Sequence, residues 1–183
     1  SGSFSFAYDE SSSAIGSRNS AHGDFSSAVG YSNLTDGQNS TAMGFNSYAA
    51  SDKSLAIGGW FDADADGAYA RDVDLDGDGF TDVYSEMTYS VGNTAVAVGN
   101  GVHVSADFGS AFGISSTASG ENAVALGNHV RAIALNATAV GVQASATTEN
   151  SVAVGFDSNS YGDGSVAMGN TNYASGSYSN AIG

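Results

Sequence analysis

Nine of the 19 acidic residues fall between Asp62 and Glu86, in two runs whose spacing suits a hard cation. The first run, D-A-D-A-D-G, sets Asp62, Asp64 and Asp66 before Gly67. The second, D-L-D-G-D-G-F-T-D, sets Asp74, Asp76 and Asp78 before Gly79 and ends at Asp82. Carboxylates at alternate positions followed by Gly let a tight turn aim several oxygens at one ion. Ca2+, which takes about six to eight oxygens, fits that better than Mg2+. In the second run Asp74, Asp76 and Asp78 match the first, third and fifth places of a calcium loop. The Phe80 carbonyl would be the seventh-place ligand and Asp82 the ninth. Glu86 stands one residue past the usual closing place, and no flanking helices are legible. The first run lacks a closing carboxylate and would borrow Asp72 or Asp74. A plain solvated loop is the competing reading, but so many like charges in 25 residues repel without cations. Calcium is expected, ordering the segment rather than performing chemistry.

Other chemistry is poorly supported. His22, His103 and His129 lie among many Ser and Asp residues, yet no nucleophile elbow or activating context accompanies them. Carboxylates crowded on one short loop do not form the opposed pair of a glycosidase. No Cys is present, so disulfides, thiolate metal sites and a Cys nucleophile are excluded. Four Lys and Arg against 19 acids give a formal charge of −15, the wrong sign for nucleic acid or an anionic bilayer. No apolar run approaches the length of a membrane span. The sequence is read as non-enzymatic.

The elements that must carry the acidic segment show a fixed period. The tetrapeptide x-Ala-apolar-Gly ends at Gly16, Gly30, Gly44 and Gly58, then at Gly99, Gly113, Gly127, Gly141, Gly155, Gly169 and Gly183. The step is 14 residues except from Gly58 to Gly99, where it is 41, one period plus 27. A second small residue falls midway between motif glycines, seven places after one as at Gly23, Gly37, Gly120, Gly162 and Gly176, or seven before the next as at Gly92. Seven residues hold a short strand and a turn, and no helical stripe is present. The prediction is an all-β parallel β-solenoid, a β-roll with 14-residue coils and one inserted acidic loop. Repeats occupy 1–58 and 92–183, and the calcium-binding insertion 59–91. Eleven coils at the strand spacing span on the order of 50 Å.

Alternation assigns the faces. Ala always precedes the large apolar residue of the motif, so methyl groups stack on one face of the strand and bulk on the other. A constant methyl fits a thin interior, matched from the other strand by Ala21, Thr35, Ala49, Ala118, Ala132, Ala146 and Ala174. The large column, from Ile15 and Val29 to Met168 and Ile182, then lies outside. A soluble monomer rarely exposes such a stripe, and burial between parallel copies about a rotation axis is expected. Asp24, Asp52, Asp107, Glu121, Glu149 and Asp163, eight places past the Gly, read as the solvent face. Phe4, Phe6 and Tyr8 read as a cap on the N-terminal end.

The units S-S-A-I-G, N-S-T-A-M-G, N-S-V-A-V-G and G-S-V-A-M-G, with a Gly between them, resemble the YadA-type head repeats of trimeric autotransporter adhesins. The resemblance implies a left-handed roll, a homotrimer that buries the apolar columns, and a head at the tip of a bacterial surface fibre. Its implied ligand is an extracellular matrix component, a host cell, an abiotic surface or another bacterium, with a virulence role. It also implies an outer-membrane anchor and a stalk, neither within this sequence, so the chain reads as a head fragment that does not itself enter the membrane.

Two alternatives compete with the adhesin reading. One is a phage or other fibre segment using the repeat as passive trimeric scaffold. The other is an ice-binding solenoid, which needs a flat Thr-rich face. The nearest match is the column Ser12, Ser26, Ser40, Ser54, Ala95, Gly109, Ala123, Ala137, Ser151, Ser165 and Ser179, which is interrupted and lacks Thr.

Overall fold

The computed structural model describes residues 4–60 and 87–183. Each repeat contributes one longer strand over its motif, such as Ser27–Tyr31 or Thr138–Val142, and one short strand after it, such as Leu34–Thr35 or Ser145–Ala146. The longer strands form one parallel sheet of 11 strands and the short ones a second of 11, both in strict chain order. The described residues hold strands and turns and no helix. The fold is an all-β parallel solenoid of about 11 turns.

Register holds along the whole stack. Ala14 pairs with Ala28, Gly16 with Gly30 and Ala125 with Ala139. Across the break in the repeat, Ala56 pairs with Ala97, Gly58 with Gly99 and Ser47 with Thr88. The ladders thus close over the extra residues, and Thr88–Ser90 serves as the second strand of the interrupted coil. Main-chain N–H groups are spent on neighbouring coils throughout, as from Ser27 to Ser40 O and Asn159 to Asn172 O. A chain with no Pro suits that demand.

The interior is as thin as the alternation predicts. Ala28, Ala42, Ala56, Ala97, Ala111, Ala125, Ala139, Ala153 and Ala167 are fully buried, and so are Ala21, Thr35, Ala49, Ala118, Ala132 and Ala146 opposite them. Among the described residues Val102, Val104 and Val130 are the largest apolar side chains fully enclosed. The column weighed as an ice face is also inside, since Ser26, Ser40, Ser54, Ser151 and Ser165 are buried. A buried ladder presents nothing to ice.

One carbonyl per coil shapes the motif. Gly113 has φ +126°, and a Cβ built on it would lie 1.8 Å from the Gly127 carbonyl oxygen of the next coil. Only Gly accepts both that conformation and that approach. In several coils the same row of carbonyls takes a hydrogen bond from the side chain at the repeat position three places past the motif Gly, a position that Val102, Val130 and Ala144 fill elsewhere. Ser5, Asn19, Asn33, Ser116, Ser158 and Asn172 reach Gly16, Gly30, Gly44, Gly127, Gly169 and Gly183 at 2.7–3.0 Å.

Candidate functional site

All of the expected calcium ligands, Asp62, Asp64, Asp66, Asp72, Asp74, Asp76, Asp78, Phe80, Asp82 and Glu86, lie outside the described residues. The structure does show how their segment is anchored. Gly59 ends the longer strand of one coil and Thr88 begins the short strand that completes it. Thr88 Oγ1 lies 3.0 Å from the Gly59 carbonyl oxygen and 2.8 Å from that of Gly99. Gly59 and Thr88, the strand residues nearest the acidic segment on either side, therefore meet at one corner of the solenoid. Trp60 is half-buried beside them, and the Tyr89 ring stacks on His103 at 4.5 Å. Among the described residues no three His, Asp or Glu side chains are gathered for a metal.

The large apolar column stands on the outer face of the longer-strand sheet, where alternation places it. Met43, Phe112, Leu126 and Met168 are exposed, with Val29, Ile57, Val98, Val140 and Val154 between them at intermediate exposure. Two places further along the same face, Tyr31 stacks on Phe45 with centroids 5.1 Å apart and planes 6° from parallel. Arg18 lies over the Tyr31 ring at 5.7 Å.

His22 does meet a serine and an aspartate. Ser20 Oγ is 3.0 Å from His22 Nε2, and Asp36 Oδ1 is 2.8 Å from His22 Nδ1. Tyr48 donates to the other carboxylate oxygen of Asp36 at 2.8 Å. The order of groups is that of a hydrolytic triad. Yet Ser20 and His22 spend their main-chain N–H groups on Asn33 O and Thr35 O, and donors already committed to a ladder cannot line an oxyanion hole. His129 instead bonds its neighbour Asn128.

The acidic column has a role that spacing alone did not reveal. Asp24, Asp52 and Asp107 accept the main-chain N–H groups of Glu10, Gln38 and Asn93, one coil earlier, at 3.2, 2.9 and 2.8 Å. These carboxylates close turns as well as face solvent. The next residue, nine places past the Gly, is left-handed in each such coil, as at Phe25, Lys53 and Phe108. Aromatic and Lys side chains gave no hint of that conformation. Phe4, Phe6 and Tyr8 do not close the end of the roll. Phe6 pairs with Ser20 while Ala7 pairs with the buried Ala21, so Phe6 and Tyr8 lie on the outer face of the short-strand sheet.

Two stacked parallel sheets, a methyl interior and a motif Gly under each neighbouring carbonyl define the repeat unit. The YadA head domain repeat (2 copies) matches residues 10–33, 36–59, 105–129, 132–158 and 160–183. The chain belongs to the YadA head family. YadA head repeats mark an adhesin-type autotransporter domain exposed at the cell surface. The matches skip 60–104, although the strands Thr88–Ser90, Val96–Asn100 and His103–Val104 pair in the same ladders as the matched coils. Comparison with curated proteins finds no match.

Proposed function

We propose that the chain is the head segment of a homotrimeric bacterial surface adhesin, acting by attachment and not by catalysis. The observation that carries this reading is the contrast between the two faces of the longer strands. Inside are methyl groups, each worth about 0.8 kcal/mol on burial, whereas a Leu, Val or Phe is worth about 1.5–3 kcal/mol. The larger hydrophobic gain is thus held on the outside, in a continuous column that a single roll leaves uncovered. Three left-handed rolls of 14-residue coils about a common axis would bury it with closed symmetry. The acidic insertion, rooted at Gly59 and Thr88, would be ordered by Ca2+ and stand out from the rod. Attachment to matrix, host cells or other surfaces would use the faces left outside, with an outer-membrane anchor supplied by other segments.

Molar mass by light scattering, in Ca2+ and in EDTA, tests the assembly. A trimer in both supports the reading, and a well-folded monomer at micromolar concentration overturns it.

A further inference from the structure

Three rings stand in a row, Phe6 and Tyr8 on the outer face of the short-strand sheet and Phe4 in the segment that leads into it. Phe4, Phe6 and Tyr8 are 69%, 50% and 59% exposed. Phe4 and Phe6 have centroids 6.4 Å apart, Phe6 and Tyr8 5.7 Å with planes at 23°, and Tyr8 meets His22 edge-on at 4.7 Å. Next along the column Asp36 is held at both oxygens, by His22 Nδ1 and by the Tyr48 hydroxyl, each at 2.8 Å. Tyr8 and Asp36 are two coils apart, about 10 Å by the strand spacing. Exposed Asp9 and Glu10 follow Tyr8 directly.

Carboxylates dominate the charge around the row: Asp9, Glu10 and Asp36 stand against Arg18, whose main-chain N–H bonds the Phe4 carbonyl oxygen at 3.1 Å. Aromatic faces are electron-rich and attract cations, and the chain carries −15 overall. The molecule already contains the pairing in miniature, with Arg18 over Tyr31.

We propose that this face docks a cationic peptide segment, seating an Arg or Lys side chain over Phe6 and Tyr8 and a second against Asp36. The assignment rests on the adhesin reading for its biological setting and names the ligand class that reading leaves open. Its geometry is independent of the trimer, since the apolar column lies on the other sheet.

The test uses the full chain at physiological salt, with a fluorescent peptide of alternating Arg and Gly and its citrulline counterpart, which keeps the shape and loses the charge. The Arg peptide is expected to bind at least tenfold more tightly than the citrulline one. Phe6→Ser with Tyr8→Ser should weaken it at least tenfold and Asp36→Asn severalfold, while Tyr161→Ser with Tyr173→Ser, distant on the same sheet, should leave it unchanged. If the double serine variant loses its melting transition, Tyr8→Leu decides, because it keeps apolar bulk without the ring. No binding of the Arg peptide, equal binding of the two peptides, or equal loss in the distant variant overturns the proposal. Light scattering on the same samples separates the two readings. A trimer that ignores the peptide fails this one alone, and a monomer that binds it fails only the trimer.

Discussion

Asn33 Nδ2 donates to the carbonyl oxygen of Gly44, in the next coil, at 2.8 Å. That oxygen also lies 2.1 Å from where a Cβ on Gly30 would stand. A single carbonyl therefore requires a Gly in one coil and rewards a donor three residues after it. Where this column is polar it ties neighbouring coils together beside the methyl interior, and Val102, Val130 and Ala144 take its place in the other coils.

Replacing Asn33 with Leu should be among the costlier single changes. Asn33 also bonds Val29 O at 2.9 Å and Asn19 Oδ1 at 3.0 Å, and it accepts the Ser47 N–H at 2.9 Å. Each buried group left unpaired costs about 1–3 kcal/mol, so a loss of about 3 kcal/mol or more is expected by urea unfolding. Asn33→Ser should cost less, because Ser116 and Ser158 make the equivalent bond to Gly127 and Gly169.

Glycines should respond differently to a methyl group according to what faces them. At Gly141, with φ +130°, a Cβ would stand 2.0 Å from Gly155 O, a main-chain atom that cannot step aside. At Gly59 the nearest contact is the Asn100 side chain, with Oδ1 at 3.3 Å. Gly141→Ala should therefore lower the melting temperature by many degrees. Gly59→Ala should change it by no more than a few. Equal effects would separate the motif Gly from the carbonyl row.

The solenoid was legible because its cause is repeated eleven times. The Ala and apolar columns report inside and outside directly, and Gly58 and Gly99, 41 residues apart, still pair in register. The left-handed turn residues were hidden, since Phe25, Lys53 and Phe108 adopt that conformation under the constraint of the ladder and not by preference. Asn19 and Asn33 were hidden for a related reason. Their column continues as Ser47, Thr88 and Val102, and a side chain needing only one donor atom leaves a weak imprint on residue type. The aromatic row at Phe4, Phe6 and Tyr8 was visible in sequence, but its face depended on the pairing of Ala7 with Ala21.

The carboxylates that close turns should matter modestly and specifically. Asp52 accepts the Gln38 N–H at 2.9 Å on an exposed edge. Water can replace it there, so Asp52→Ala is expected to cost about 1 kcal/mol or less. Asp52→Asn keeps an acceptor oxygen and should recover most of that. Matched thermal melts of the two variants check the order.

Chelation should act on the acidic segment and spare the roll. EDTA is expected to lower the temperature of any transition reporting Trp60, which sits at the foot of the excursion, while far-ultraviolet circular dichroism of the strands changes little. Asp76→Asn with Asp78→Asn should reproduce the EDTA effect and abolish its dependence on added Ca2+. Trp fluorescence titrated with Ca2+ reads this directly, and a signal indifferent to both treatments would leave the segment a plain acidic loop.

Leu126 puts the assembly to its strictest test. It is 47% exposed in the single roll and lies in the middle of the column, between Phe112 and Val140 in register. If three copies meet along that column, Leu126→Glu places three carboxylates near one axis in a dry setting. Like charges there are strongly disfavoured, and the trimer should dissociate or lose many degrees of melting temperature. The roll itself should persist, because position 126 faces away from the methyl interior while Ala125 fills it. A control at Thr117, on the outer face of the other sheet, should tolerate Glu without change of mass. Sedimentation of Leu126→Glu as a folded monomer is the expected outcome. A mass unchanged from the parent would place the interface elsewhere.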